Sequence, residues 1–223
     1  MRADARLRPL RCLTLALTVC LAAPAFAEQK IIQLPPPDKT GGRPLMQVLQ
    51  DRQSAREFRG DPLPQATLSN LLWAAWGVTR PDGRRTAPSA SNRQEIELYV
   101  TLPDGAYIYD AKAHALQPAV EGDLRAATGT QAFAGDASLS IVYVADLKKM
   151  NTAAENQMQW AFADAAFIAE NVYLFCASER LATVVRASVD RDALAKKLQL
   201  RAEQRILLAQ SVGYVKAAPT TTR

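Results

Sequence analysis

Between Glu155 and Ser178 the chain carries apolar residues around nearly the whole helical circumference: Trp160, Phe162, Ala165, Ala166, Ile168, Ala169, Val172 and Tyr173. A helix apolar all round cannot rest on a solvated surface. It must be central, packed under a sheet or shared with another chain. The segments on either side supply the sheet. Ile96, Leu98 and Val100 alternate, Pro103-Asp104-Gly105 reads as a turn, and Tyr107 to Asp110 as the returning strand. A third strand over Ala115 to Val120 leads to a small helix near Asp123 to Thr128. Leu139 to Ala145, with Ile141, Val142 and Val144, is too apolar for an edge and predicts a strand covered on both faces. Beyond the long helix, Leu181 to Val189 reads as a strand. Asp190 caps a helix running to about Leu198, and Arg205 to Tyr214 is the last strand. Upstream, Leu45, Val48 and Leu49 recur at helical spacing up to Arg52, and Asp61 to Pro64 is a loop. A helix beginning at Gln65 or Thr67 then sets Leu68, Leu71, Leu72, Ala75 and Trp76 on one face until Gly77 ends it. Helices and hairpin strands are mixed without a repeating βαβ unit, which predicts an α+β fold.

The first 27 residues are excluded from that fold. Arg2, Arg6, Arg8 and Arg11 form a positive start, Leu13 to Ala23 an apolar run, and Ala25-Phe26-Ala27 a small-x-small site. This pattern predicts a signal peptide cleaved after Ala27 and a periplasmic or secreted protein; the other reading is an N-terminal membrane anchor. Residues 28–44, with Pro35-Pro36-Pro37 and Gly41-Gly42, read as an extended arm, 45–216 as one domain and 217–223 as a loose tail. The leader holds four arginines and one aspartate, so the formal charge of +5 for the whole chain falls to about +2 without it. No basic stripe or basic helix remains, which argues against nucleic acid as a partner. Cys12 and Cys20 lie in the leader, leaving Cys176 alone in an apolar helix as a buried small hydrophobe, with no internal disulfide. The single histidine, His114, sits in a hairpin-like stretch, so no Cys/His metal cluster is predicted.

Two short segments bear on function. Arg52-Gln53-Ser54-Ala55-Arg56 places two guanidiniums and a hydroxyl at alternate positions. On an extended backbone these point the same way, and arginine forks with a hydroxyl suit a phosphate. The same charges also read as a solvated patch partnered by Asp51 and Glu57. Pro88-Ser89-Ala90-Ser91-Asn92-Arg93-Gln94 offers hydroxyl and amide groups able to meet ring nitrogens and carbonyls. It equally reads as an ordinary polar loop entering the strand at Ile96. Trp73, Trp76, Tyr107, Tyr109, Trp160 and Phe162 either shape a flat pocket or fill the core.

Taken together, these segments resemble the nitroreductase superfamily, and within it the SagB-type dehydrogenase branch. Arg52 to Phe58 is similar to an Arg-x-Ser-x-Arg-x-Phe opening. Leu68 to Gly77 resembles the Leu-Leu-Trp-Ala-x-x-Gly helix that follows it, and Arg85-Thr86-Ala87-Pro88-Ser89-Ala90 the Arg-Thr-x-Pro-Ser-Ala run. Asn92 and Gln94 add the Asn-x-Gln of ordinary nitroreductases, and Glu97 to Val100 with Gly105 to Asp110 echo the SagB strand pair. The resemblance spans roughly residues 45–215. It implies an α+β sandwich, a mixed or antiparallel sheet flanked by helices, forming an intertwined homodimer with two FMN molecules at the interface. It implies that Arg52, Gln53, Ser54, Ala55 and Arg56 hold the FMN phosphate and ribityl chain. Pro88, Ser89, Ala90 and Asn92 would then reach the isoalloxazine from the partner subunit. Gln131 would contact the flavin, the backbone N–H groups of Arg186 and Ala187 would face its ring, and Lys216 or Arg223 would complete the phosphate site. No catalytic side chain is assigned, because the flavin carries the chemistry. The implied activity is oxidoreduction of a small organic substrate, with a quinol or redox partner as electron donor outside the cytoplasm. The chain departs from the family where Glu179-Arg180-Leu181-Ala182 replaces a Leu-Gly-Leu-Gly turn and Ala187 replaces a glycine. Those departures motivate a second expectation, a family-derived periplasmic protein that binds a ligand or partner without redox chemistry.

Overall fold

The computed structural model describes residues 30–216. The leader over 1–27, the tail over 217–223 and Arg223 with it lie outside the described residues. From the arm to the second helix the order is β1 (Ile32–Gln33), α1 (Leu45–Asp51), β2 (Phe58–Arg59) and α2 (Gln65–Trp76). A meander of β3 (Ile96–Leu102), β4 (Gly105–Asp110) and β5 (Ala115–Glu121) follows, and then β6 (Leu139–Asp146), which returns to pair with β3. The chain finishes with α3 (Ala154–Glu179), β7 (Leu181–Arg186), α4 (Arg191–Lys197) and β8 (Gln204–Val215). The strands form one sheet in the order β1-β5-β4-β3-β6-β8-β2, with β7 also pairing β8. Every pairing is antiparallel.

Period-two alternation sorts the strand side chains onto two faces. Ile96, Leu98, Val100, Ile141 and Tyr143 pack with α2 and α3, through Leu71, Leu72, Trp76, Ile168 and Val172. Their neighbours Tyr99, Val142 and Val144 face the other way, onto Leu194 and Leu198 at α4. β6 is buried along its whole length because both faces are covered and it pairs with β3 on one side and β8 on the other, as its apolar run predicts. Three differences from the sequence expectations have physical causes. The arm is docked rather than merely extended. Ile32 and Gln33 pair with β5, and Leu34 N–H donates to His114 O at 3.2 Å. A two-residue strand at Phe58–Arg59 is added to the end of β8. On α1 only Val48 is buried, while Leu45, Met46 and Leu49 are exposed.

α3 is buried along Ala161, Asp164, Ala165, Ile168, Ala169, Val172 and Cys176. Its opposite side leaves Trp160 and Phe167 about half exposed. Burial pushes the Cys176 thiol well above its ordinary range, which makes it a packing residue. Gly77 ends α2, but not by a left-handed turn: its φ is −71°. Space is what excludes a side chain there, since a Cβ would lie 2.6 Å from Trp73 O. Gly77→Ala is therefore expected to cost about 1–3 kcal/mol through overpacking. Urea denaturation checks this; a variant as stable as the parent would contradict it.

Candidate functional site

At the end of α1 the chain leaves the helix at Arg52, and Ala55 N–H donates to Thr183 O at 2.9 Å, tying the segment to β7. Tyr173, from α3, organises it. The Tyr173 hydroxyl accepts the Val185 N–H at 2.9 Å and lies 2.9 Å from Ser54 Oγ. The Arg52 guanidinium stacks 5.2 Å from the centre of the Tyr173 ring. The acids that the sequence offered as partners are engaged elsewhere or unpaired. Asp51 pairs with Arg43 at 2.6 Å, and among the described residues neither Arg52 nor Arg56 forms an ion pair. At the end of β8, Val215 pairs with Phe58, and Lys216 N–H donates to Glu57 O at 3.2 Å, which sets the Lys216 backbone opposite Glu57.

A cavity of about 520 Å³ opens here, lined by Arg52, Gln53, Tyr173, Arg180, Thr183 and Val215 among others. Ser54 and Arg56 are not part of its wall, though Ser54 bonds the lining residue Tyr173. Arg180 is the residue that sequence reasoning missed. It closes α3 with φ 57° and ψ 36°, a left-handed conformation normally left to glycine. At the position where the resembled family carries its first glycine, this chain accepts backbone strain and presents a guanidinium to the cavity. Ala182, at the second glycine position, is buried with Phe58, Ala137 and Val184 in a small apolar cluster. Neither Ala182 nor Ala187 has a positive φ, so neither lost glycine strains the backbone.

The Arg186 side chain turns inward. Its Nη1 donates to Thr128 O at 3.1 Å and its Nη2 to Ser211 Oγ at 2.8 Å, and the Phe133 ring centre lies 5.7 Å from the guanidinium carbon. No carboxylate balances it among the described residues, and burial lowers its pKa to about 10. Two polar atoms here have no partner: Arg186 Nε and Gln131 Oε1. Both residues border Gly129, where a Cβ would lie 2.9 Å from Arg186 Cζ and 3.2 Å from Gln131 Oε1. A buried orphan donor beside a buried orphan acceptor suits a ligand edge carrying both functions. Ala187 is exposed at the end of β7.

Pro88, Ser89 and Asn92 line a separate cavity of about 310 Å³ with Arg80, Arg84 and Arg85. One chain therefore does not bring the Pro88–Asn92 loop into the wall of the Arg52 cavity. The loop is held in a demanding conformation, with Ser91, Asn92 and Gln94 at φ 53°, 54° and 51°. Ser89 Oγ accepts the Gln94 N–H at 3.0 Å, and the Gln94 side chain donates to Asn92 Oδ1 at 2.9 Å and Gly83 O at 3.1 Å. Asp164 Oδ2 accepts the Ala90 N–H at 2.8 Å, fastening the loop to α3.

The sequence pattern of the Nitroreductase family matches residues 49–214. The chain belongs to the nitroreductase family. A provisionally named nitroreductase of Methanocaldococcus jannaschii is 31% identical over 151 residues, covering 63% of this chain and 76% of the relative. The crystal structure of a provisionally named nitroreductase from Ralstonia eutropha JMP134 superposes with a TM-score of 0.82 at 42% identity, over 85% of this chain and 91% of that one. The Escherichia coli microcin synthetase McbBCD complex, solved with truncated pro-MccB17 bound, contains a chain of the same fold. Its TM-score is 0.65 at 19% identity, over 88% of this chain and 78% of that one. Membership in this family makes the protein an oxidoreductase by family and fixes the α+β, antiparallel-sheet architecture.

Relief of the left-handed residue at the end of α3 should be measurable. Arg180→Gly is expected to raise stability by up to about 1 kcal/mol, the strain relieved less the extra freedom that glycine gives the unfolded chain. Equal or lower stability in urea denaturation would show that the Arg180 side chain contributes more than its backbone costs.

Proposed function

We propose that this nitroreductase-family protein is an exported, FMN-dependent oxidoreductase of the SagB-type dehydrogenase branch, acting on a small organic substrate as a homodimer. The observation that carries the proposal is the two guanidiniums without acid partners among the described residues in the wall of the Arg52 cavity, Arg52 and Arg180, with Arg56 following Ser54 and Ala55 in the same segment. Guanidiniums left without acid partners are available to an anion, and a phosphate meets them with charge-assisted bonds. The residues fit FMN at both ends. Arg52, Arg56 and Lys216 hold the phosphate. When Tyr173 donates to Ser54 Oγ, the Ser54 proton is left free for a phosphate or ribityl oxygen. Around Gly129, the orphan Arg186 Nε and Gln131 Oε1 match an isoalloxazine edge, which alternates carbonyl acceptors with a ring N–H donor.

When bound, FMN supplies a hydride acceptor and donor at ring N5. The protein binds and orients. The buried Arg186 cation favours negative charge developing on a ring beside it. Pro88, Ser89, Ala90 and Asn92 serve the flavin of a neighbouring chain, which explains why one chain does not place them in its own Arg52 cavity. The surface for that second chain is supplied by Leu45, Met46 and Leu49 on α1 together with Trp160 and Phe167 on α3, all exposed in the single chain. The leader over 1–27 directs the protein to the periplasm. The electron donor there is a quinol or a redox partner, because NAD(P)H is a cytoplasmic reductant. The unstrained Ala182 and Ala187 backbones weaken one motive for a binding-only protein.

Titration of the 28–223 protein with FMN, followed by flavin fluorescence, tests the cofactor site. Arg52→Ala and Arg56→Ala are each expected to weaken binding about 10- to 100-fold, the loss of one charge-assisted contact. Failure of the parent to bind FMN, or unchanged affinity in both variants, would overturn the proposal. N-terminal sequencing of protein recovered from the periplasm tests export, with Glu28 expected as the first residue; an intact Met1 would contradict cleavage.

A further inference from the structure

Glu95 stands immediately before β3, wholly buried, and neither of its carboxyl oxygens has a donor in reach. Its backbone carbonyl accepts the Asp146 N–H at 2.9 Å, so the residue is fixed to the end of β6. Its carboxyl meets that of Asp164, itself 2% exposed, on the inward face of α3. Two ionised carboxylates in contact inside a core repel each other, and both lack water. The contact is a hydrogen bond only when one of them carries a proton.

The same pair reaches the functional loop, because Asp164 Oδ2 accepts the Ala90 N–H at 2.8 Å. Directly after Ala90 come the left-handed residues Ser91 and Asn92, then Gln94, conformations that persist only when the surroundings hold them. An ionised Asp164 makes the stronger, charge-assisted bond to that N–H.

We propose that Glu95 and Asp164 share one proton as a positioning pair, Glu95 donating to Asp164, and that this proton holds the Pro88–Asn92 loop in its binding conformation. The pair's importance for flavin rests on the function proposed above. Its effect on the loop does not.

Burial is the main cause that pushes Glu95 up to about 7, reinforced by its hydrogen bond with Asp164 and by the Asp164 charge. Arg93 is the cation that acts against this. Its guanidinium is turned to Ala90 O at 3.2 Å and Asn151 O at 3.4 Å, and it forms no ion pair among the described residues. His114 bonds to Ser69 and Tyr109 instead. The sign follows from the raised pKa. The held loop keeps the proton up to about pH 7, whereas a parted pair lets Glu95 fall back towards its ordinary 4.5. The stabilisation is complete below the lower value, drains away between the two, and is absent above the upper one.

Hydrogen exchange of the Ala90–Asn92 amides in the flavin-free 28–223 protein, normalised for intrinsic exchange, reads the loop directly from about pH 5 to 8. Loop opening is expected to rise by up to about tenfold per pH unit to near neutrality and then level off, as release of one proton requires. Glu95→Gln, whose amide donates to Asp164 at every pH, is expected to flatten the profile. Glu95→Met removes the titrating group at similar volume and gives the same flat profile should the amide variant fold poorly. FMN affinity measured over the same range should weaken in parallel in the parent alone. A flat profile in the parent, or the parental profile retained in either variant, would overturn the proposal. PH-dependent exchange in a protein that takes up no FMN would leave the pair standing and remove the flavin assignment.

Discussion

The structure depends on the packing of one apolar helix against one antiparallel sheet. α3 lays Ala161, Ala165, Ile168 and Val172 into the shared core with α2 and the alternating side chains of β3 and β6. Small residues on that face let the helix approach closely, while Ile168 and Val172 fill the space between strands. The same helix supplies the polar fixtures of both functional segments. Tyr173 bonds Ser54 and the Val185 N–H, and Asp164 bonds the Ala90 N–H. Two loops remote in sequence are thereby indexed to one rigid element, the arrangement a precise binding site requires.

Charge is distributed to match. Asp51, in the wall of the Arg52 cavity, is neutralised there by Arg43 rather than by Arg52. The cations that remain face outward without partners, and Arg180 is kept among them at the cost of a left-handed backbone. Deeper in, the Arg186 Nη groups bond Thr128 and Ser211 rather than a carboxylate, while its Nε has no partner, so the buried guanidinium beside Gly129 is left without a balancing acid among the described residues. A site prepared in this way for negative charge accords with a family whose reactions pass electrons.

Elements with strong period were legible in the sequence. α3, β6 and β8 follow directly from runs of apolar residues, and the Asp190 cap is made as expected, its carboxylate accepting the Ala193 N–H at 3.0 Å. The two-residue strands at Ile32 and Phe58 were not legible, because a pair of residues carries no period; only the partner strand defines them. α1 forms where its spacing places it, but its burial was not legible. Leu45, Val48 and Leu49 have helical spacing, yet spacing does not say whether the covering surface belongs to the same chain. The Arg52–Ser54 segment and the Pro88–Asn92 loop could be picked out from residue type and order, but not that they line separate cavities in one chain. Arg180 could not, since arginine is no signal for a left-handed cap. Glu95 was equally silent, because the chain shows nothing of Asp164 lying opposite it.

The central claim is a flavin site completed by two chains. Sedimentation velocity of the 28–223 protein, detected by the visible absorption of added FMN, tests it most directly. The account predicts that protein-bound flavin sediments with a species of twice the chain mass, at about one FMN per chain. Flavin sedimenting with a single chain, or remaining entirely free, would contradict it.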